Sequence, residues 1–322
     1  MSICVLAYNQ PEDVDRLLAG LVDQVSTSVE IVIRDDSESD ATSLVVEKYS
    51  RIKNLRYIRG IKEGIDKTVT FLVEEARGDF VWWMGDDEIA DGGVDEVIKV
   101  IDANADVGFI WANYKLSGTD IRGINIPESR RFIDPDEILL EAGAGLGFIS
   151  ACVLKKEVAI QAVGKAKKYY GTAFANLYIV LFTIFKSKFN YYIADPIVIC
   201  HPASSEEIKS ITAKDPRAID NKAFQVFGIN FYEIVKSFSS DFARSTTLRR
   251  VISKSFGQTW RGVLVGWAGG WDTPKNKRVL LLKHFWSFPE AWIAIILFCM
   301  PPSANKFMYG VYRKVKYGWL AR

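Results

Sequence analysis

Apolar and polar residues alternate in blocks along the first 115 residues, and the blocks predict strands and helices in turn. Short apolar runs typical of buried strands occur at 2–7, 29–33, 55–58 and 80–84. Amphipathic stretches lie between them; the first follows Pro11 and repeats apolar residues at helical spacing, at Val14, Leu17, Leu18 and Leu21. This alternation predicts an α/β fold with a mostly parallel sheet, right-handed crossovers and flanking helices.

Acidic residues follow two of these strands at the point where each strand ends. The second strand leads into Asp35-Asp36, and the fourth into Asp86-Asp87-Glu88. Because parallel strands end at the same edge of a sheet, we expect the carboxylates to converge on one crevice. Asp36 can accept hydrogen bonds from a base or ribose, and Asp86 and Asp87 suit Mg²⁺ or Mn²⁺ bound jointly with substrate phosphates. An isolated run of three acids is otherwise most simply a solvated turn.

The second half of the domain has a less regular pattern. We predict a strand at 107–113, a polar irregular segment at 114–134, and a helix that begins with Pro135. The glycine-rich stretch 143–148 is either the wall of an acceptor pocket or a loop that feeds a core strand at 149–154. An apolar core helix at 176–186 follows, then an edge strand that ends at His201. The polar stretch 203–218 after it is a candidate lid over a donor.

Composition fits a globular protein of one large domain or two. The chain has 322 residues, 49% of them apolar and 25% charged. Its four cysteines lie in apolar runs without a CxxC pair, which predicts buried free thiols in a reducing compartment: Cys4, Cys152, Cys200 and Cys299. The opening residues lack the charged segment of a secretory signal, so we expect a cytoplasmic location.

Charge and tryptophan are unevenly distributed along the chain. Residues 242–322 contain 14 Lys/Arg and two acids, a net charge of +12, whereas the first 241 residues carry −10; six of the nine tryptophans lie in this tail. The apolar run 291–300 is shorter than the roughly 20 residues that span a bilayer. Residues 304–320 predict a basic amphipathic helix suited to an anionic membrane surface. Nucleic-acid binding and an ordinary packed helical domain are the alternatives.

Three pieces of the sequence resemble a known family. The opening Ser2-Ile3-Cys4-Val5-Leu6-Ala7-Tyr8-Asn9, the turn Asp35-Asp36-Ser37 with Asp40-Ala41-Thr42, and Gly78-Asp79-Phe80-Val81 before Asp86-Asp87 resemble family 2 glycosyltransferases of the GT-A fold. Within that family, the chain is most similar to bacterial O-antigen transferases of the abequosyltransferase type.

The resemblance implies roles for the matching positions. Ala7, Tyr8, Asn9 and Asp36 would surround the nucleotide base, with Gly64 and Lys67 on the neighbouring loop. Asp86 would face the ribose, and Asp87 would bind the metal that bridges the donor diphosphate. His201 would reach the diphosphate or the metal; otherwise it is a surface or hydrogen-bonded histidine.

The sequence departs from the family where the general base is expected. Inverting members offer an acid beyond the sheet, but no carboxylate occurs from Lys165 to Lys188. Glu88, Glu141 and Asp195 are the candidates from elsewhere, so the base and the inverting or retaining outcome stay open.

These observations predict a metal-dependent transferase that uses a nucleotide-diphosphate sugar. Residues 1–115 would bind the donor, 116–241 the acceptor, and 242–322 the cytoplasmic face of the bacterial inner membrane. The acceptor would be a polyprenyl-diphosphate-linked glycan in O-antigen or related polysaccharide synthesis, with no nucleic-acid partner. The alternative is a non-catalytic membrane adaptor that retains a nucleotide-sugar-binding fold, which the missing acid favours.

Overall fold

The structure is a computed structural model that describes residues 1–201, 224–238, 246–253 and 282–288, together with short pieces between 291 and 307. The chain divides into two compact units. The first contains Met1–Pro202 and Ser237–Arg244, and the second contains Ala203–Lys236 and Ser245–Arg322. The division of the chain into donor, acceptor and membrane-binding parts stays a prediction.

The described part of the first unit is an α/β structure with a nine-stranded mixed sheet. Its strands are β1 (Ser2–Ala7), β2 (Glu30–Asp35), β3 (Leu55–Arg59), β4 (Phe80–Met84), β5 (Glu88–Ile89), β6 (Val107–Leu116), β7 (Arg130–Phe132), β8 (Cys152–Lys155) and β9 (Phe189–Cys200). Its helices are α1 (Pro11–Leu21), α2 (Ala41–Glu47), α3 (Ile65–Glu75), α4 (Gly93–Ala103), α5 (Pro135–Ala142), α6 (Lys156–Ala166) and α7 (Ala175–Lys186).

The sheet order brings the carboxyl ends of the first four strands to one edge. The order is β3-β2-β1-β4-β8-β6-β9-β5, and β7 pairs with the first half of β9. Strands β3, β2, β1 and β4 are parallel, as the alternation of strands and helices predicts. Strand β8 runs antiparallel to both β4 and β6, while β6 and β9 are parallel to each other. Strand β9 therefore ends at the same edge as β4.

Burial of the predicted apolar positions explains why these elements form. The four apolar positions of α1 are all buried, and every residue of β4 is buried. Trp82 packs in the core cluster with α1 and α4, and its indole N–H donates to the Ser150 carbonyl at 2.8 Å. Fully burying a side chain of this class contributes about 1.5–3 kcal/mol. Helix α5 begins as predicted, because Asp134 accepts from the Asp136 N–H and Pro135 occupies the first turn.

The second half of the domain is more ordered than its sequence pattern predicts. The segment 114–134, predicted to be irregular, contains the end of β6 and the short strand β7. Residues Gly143–Gly147 form a 3-10 helix that buries Leu146, and a second one, Ile149–Ala151, replaces the start of the predicted strand.

The strand that ends at His201 is not an edge strand, so that prediction is wrong. Strand β9 is twelve residues long and pairs with β5, β6 and β7. Pro196 lies where the β6–β9 register is irregular, a position that tolerates a residue without an N–H. Of the cysteines, Cys4 and Cys152 are buried, whereas Cys200 is half-buried and Cys299 is exposed, which corrects the expectation of four buried thiols.

The described part of the second unit is helical. It includes a π-helix (Phe224–Asn230), α8 (Phe231–Ser237) and helical stretches at 246–253 and 282–285. Tyr232 packs its ring 4.9 Å from that of Phe285. Within the described residues, no helix is both long and apolar enough to cross a membrane. The predicted lid at 203–218 and nearly all of the predicted amphipathic helix at 304–320 lie outside the described residues.

Candidate functional site

The two acids where β2 ends, Asp35 and Asp36, make different contacts. Asp35 is fully buried and accepts from the Tyr57 hydroxyl at 2.6 Å, from Arg59 Nη1 at 3.0 Å and from the Ser37 N–H at 2.9 Å. These contacts tie β2 to β3, so Asp35 is part of the framework. Its neighbour Asp36 donates its N–H to the Ala7 carbonyl at 3.0 Å, which joins the ends of β1 and β2.

The Asp36 carboxylate is fixed on two sides. One oxygen lies 2.7 Å from Arg34 Nε, and the other accepts from the Thr68 hydroxyl at 2.8 Å. The side chains of Arg34 and Asp36 are only 12% and 7% exposed, so the ion pair is largely shielded from water. Gly60 lies against this pair: a Cβ there would be 2.1 Å from both Arg34 Nε and Asp36 Oδ1. The close approach requires glycine at this position.

Tyr8 and Asn9, which follow β1, contact the loop after β2. Asn9 has a φ of 54° and bridges the loop twice, since its N–H donates to Ser37 Oγ at 2.7 Å and its Oδ1 accepts from the Glu38 N–H at 3.0 Å. The Tyr8 hydroxyl donates to Glu38 at 3.0 Å. The Lys62 ammonium lies 4.3 Å above the centre of the Tyr8 ring and also contacts its hydroxyl. The ring predicted to contact a base is therefore covered on one face by a cation.

Gly64 and Lys67 lie where α3 begins. Gly64 has a φ of 88°, which favours glycine, and precedes the first turn of the helix. Lys67 pairs with Glu63 at 2.8 Å, and the ion pair raises the pKa of the lysine and lowers that of the glutamate. Thr68, on the same turn, contacts Asp36, so the loop predicted to bind the donor is physically joined to the predicted base site.

Asp87 lies buried beyond the end of β4. One carboxylate oxygen accepts from Ser150 Oγ at 2.5 Å, and the other accepts from the His201 N–H at 3.3 Å. Burial raises the pKa of Asp87, and the charge of Asp86 adds to the rise, whereas the hydrogen bond from Ser150 opposes it. Burial, together with the Asp87 charge, raises the pKa of the nearby Cys200 thiol to about 12. A cation at this turn would relieve the repulsion between the two carboxylates.

Glu88 and Arg16 flank the two aspartates. Arg16, from α1, donates to the Asp86 carbonyl at 3.2 Å and forms an ion pair with Glu88, with Nε and Oε1 2.6 Å apart. The same Glu88 oxygen lies 2.6 Å from His201 Nε2. His201 thus contacts Asp87 through its main chain and Glu88 through its imidazole. The Asp86 side chain is partly exposed, and within the described residues its carboxylate has no hydrogen-bond partner.

The residues fit a cation that is held jointly with a substrate. Across the part of the chain that the structure describes, no group of three or more His, Cys, Asp or Glu side chains forms a metal cage. Asp86 and Asp87 supply adjacent hard oxygens, and Mg²⁺ is commonly bound by one or two carboxylates while phosphates and water complete its shell. The imidazole of His201 faces Glu88, so its role as a ligand stays a prediction.

The structure brings most of the predicted site residues to the same edge of the sheet and separates two of the general-base candidates from it. Glu141 lies 3.6 Å from Arg130 on β7, which pairs with the opposite end of β9 from His201. Asp195 is an exposed residue in the middle of β9. Among the candidates, only Glu88 lies beside Asp86 and Asp87, and its ion pair with Arg16 occupies it.

Four side chains that contact the predicted site are not indicated by the sequence pattern: Arg16, Arg34, Thr68 and Ser150. Arg34 is adjacent to the Asp35-Asp36 motif and can be linked to it by proximity alone. Ser150 is 63 residues from Asp87, and only the pairing of β4 with β8 brings it there.

Comparison with known proteins agrees with this geometry. Residues 2–159 match the family described as "Glycosyl transferase family 2". A protein of Haemophilus influenzae described as an uncharacterized glycosyltransferase is 25% identical over 168 residues, which is 51% of this chain and 55% of that protein. An uncharacterized protein of Mycobacterium tuberculosis is matched over 38% of its length, so the chain spans about half or less of these curated relatives.

Solved structures resemble the chain over a greater length. The crystal structure of S. aureus TarS 1–349 in complex with UDP has a TM-score of 0.64 at 14% identity and covers 99% of this chain and 91% of that one. The mannosyltransferase PcManGT from Pyrobaculum calidifontis, in complex with GDP-Man and Mn²⁺, has a TM-score of 0.50 at 11% identity and covers 97% and 86%. These likenesses concern the fold. Together with the matched segment, they indicate that residues 2–159 resemble glycosyltransferase family 2 and that the chain has a GT-A-like fold.

Proposed function

We propose that this protein transfers a sugar from a nucleotide-diphosphate donor to a glycan acceptor. The observation that supports it best is the convergence at one sheet edge of Asp36, the loop with Gly64 and Lys67, and the buried Asp87. A nucleotide can lie along this edge with its base near Asp36 and its phosphates near the acid turn. The family 2 domain supports the same activity.

The donor class follows from the chemistry of the edge and from the relatives. TarS is described in complex with UDP and with UDP-GlcNAc, and PcManGT in complex with GDP-Man and Mn²⁺. In this chain Asp36, fixed as a hydrogen-bond acceptor by Arg34 and Thr68, suits a base that presents N–H donors. Lys62, over the Tyr8 ring, and Lys67, in the first turn of α3, add positive charge to this edge, which favours an anionic donor.

Transfer forms a bond between the acceptor hydroxyl oxygen and the anomeric carbon and breaks the bond from that carbon to the donor phosphate. The electron pair of the broken bond leaves with the nucleoside diphosphate, and the hydroxyl proton passes to a base that is not assigned. Asp86 and Asp87 would hold a Mg²⁺ or Mn²⁺ ion, which when bound neutralises charge on the diphosphate. Ser150 and the His201 N–H orient Asp87 for that task.

We further propose that the acceptor is a polyprenyl-diphosphate-linked glycan in O-antigen or related surface-polysaccharide assembly, as in transferases of the abequosyltransferase type. The support is the net charge of +12 and the six tryptophans of residues 242–322, which suit the anionic cytoplasmic face of the inner membrane. Among the described residues of this region, Trp286 and Trp292 are 66% and 48% exposed.

The decisive experiment incubates the protein with a polyprenyl-diphosphate-linked glycan and UDP-, GDP-, CDP- or dTDP-sugars, with and without Mn²⁺, and measures donor binding and release of nucleoside diphosphate. We expect one donor class to bind and turn over, and Asp87→Ala to abolish turnover while the circular dichroism spectrum is unchanged. Near-normal turnover of Asp87→Ala would contradict the assignment of Asp87. Sedimentation with vesicles tests the membrane proposal: binding to vesicles with anionic lipid, weakened by salt, supports it, and equal binding to neutral vesicles contradicts it.

The second candidate is a non-catalytic adaptor that binds nucleotide sugars. It is favoured by the segment 165–188, which contributes no carboxylate of its own. An adaptor would bind a donor in the same titration but release no nucleoside diphosphate with any metal or acceptor.

A further inference from the structure

A carboxylate does reach the segment 165–188, and it comes from α3. Asp66, in the first turn of that helix, is 5% exposed. Its two oxygens accept one main-chain N–H each, Oδ2 from Ala173 at 2.9 Å and Oδ1 from Ala175 at 2.8 Å. These N–H groups lie at the start of α7, which has no side-chain cap of its own. Asp66 therefore caps a helix that is 109 residues away in sequence.

The turn that Asp66 holds is strained. Ala173 has a φ of 58°, one of two positive φ values among the described non-glycine residues. A side chain in this conformation costs free energy, and it persists where the surroundings determine it. The two hydrogen bonds to Asp66 are such a determinant, and a third tether joins Tyr170 to α3 through a hydroxyl contact with Thr70 at 2.6 Å.

The same turn supports the segment that contacts Asp87. The Phe174 ring lies so close to Gly147 that a Cβ there would be 2.6 Å from it, and Asn176 Nδ2 donates to the Gly147 carbonyl at 3.0 Å. Three residues further on, Ser150 donates to Asp87. Thr68, two residues after Asp66 in the same helical turn, donates to Asp36.

We propose that Asp66 is a positioning residue that holds Ala173–Asn176 in place and, through Gly147, sets the wall on which the acceptor binds beside Asp87. The inference rests on the proposed function. Asp66 acts on the acceptor wall through the two main-chain N–H groups that its carboxylate accepts, from Ala173 and Ala175. Inverting members of the family have an acidic residue in the segment that corresponds to 165–188. In this chain, the carboxylate of Asp66 on α3 holds that segment instead.

The test compares Asp66→Asn with the wild-type protein. In either orientation, the amide can accept only one of the two N–H groups, and its NH₂ faces the other. We expect the acceptor KM to rise about tenfold or more, because charge-assisted hydrogen bonds to a buried group are lost. Donor affinity, measured by calorimetry, should change less than about threefold, and amide exchange should accelerate at 143–151 and 171–176. The exposed Asp106→Asn is the matched control, since it removes a carboxylate that pairs only at the surface with Lys188.

Two further variants separate positioning from a general loss of structure. Ala173→Gly in the Asp66→Asn background should restore much of the acceptor KM, because glycine adopts a positive φ without strain. Tyr170→Phe removes one tether with minimal disturbance and should raise the acceptor KM to a smaller extent. An unchanged acceptor KM in folded Asp66→Asn, or equal losses of donor and acceptor affinity without rescue, would overturn the proposal. Absence of transfer by the wild-type protein would instead reject the proposed function.

Discussion

Replacement of Gly60 by alanine tests whether the Arg34–Asp36 pair carries donor recognition. The added methyl group would lie 2.1 Å from atoms of both residues, whereas ordinary contacts of a Cβ begin at 3.4 Å. Both partners must therefore retreat by about 1 Å, which separates a pair whose charged atoms are 2.7 Å apart. Overpacking of a buried site costs about 1–3 kcal/mol, and disturbance of a shielded ion pair adds to this.

We expect a destabilisation of roughly 2–4 kcal/mol, which lowers the Tm of the unit that contains residues 1–202 by about 5–15 °C. Donor affinity should fall about 10- to 100-fold, since a displacement of Asp36 by about 1 Å would disrupt the contact with the base that we propose. Differential scanning calorimetry and isothermal titration with the donor measure the two effects. Gly164→Ala is the control, because a Cβ at that position on α6 meets nothing within 4 Å. Wild-type stability and affinity in Gly60→Ala would refute the reasoning.

Two other changes address the acid turn and the loop near Tyr8. Burial raises the pKa of Asp87 above its ordinary value of 3.8, so ionisation of Asp87 lowers the free energy of unfolding as the pH rises above 3.8. Asp87→Asn should therefore have a higher Tm than the wild type at pH 7, although loss of the carboxylate should make it inactive. A Tm difference that persists below pH 3.8 in metal-free thermal scans would contradict this. Lys62→Met removes the cation above the Tyr8 ring. Calorimetry should then show unchanged or tighter binding of the neutral nucleoside and several-fold weaker binding of the sugar nucleotide. Equal losses of affinity for both ligands would argue against an interaction of Lys62 with the phosphates.

The sequence predicts the parallel strands and the common edge of their acidic ends because the relevant signals are local. The apolar runs that form β1, β2 and β4 end next to Asp36 and Asp87, and parallel pairing then determines that the ends are neighbours. Asp66 shows where this reasoning fails. An acid in the first turn of a helix is explained by that helix's own dipole, so nothing in the local pattern indicates that it caps α7.

Ser150 was not predictable for a related reason. Its contact with Asp87 depends on β8 entering the sheet between β4 and β6 in the reverse direction. Pairing between strands that are far apart in the sequence has little effect on the periodicity of apolar residues within each strand. Most of the segment 114–134 is irregular as expected, but β7 within it was not predictable, because it is only three residues long and is stabilised by its partner β9.

The reversed direction of β8 has a consequence for how this scaffold could be diversified. A parallel strand in this position would place the loop that follows it at the edge with Asp36 and Asp87. Because β8 is antiparallel to β4, the segment that precedes β8 lies at that edge instead. The register of Cys152–Lys155 is set by pairs with β4 and β6, so residues 143–149 could be exchanged for sequences of other lengths while the sheet and Ser150 are retained. Under the function proposed above, grafting in this one interval would alter acceptor preference and leave donor preference to the strands on the opposite flank.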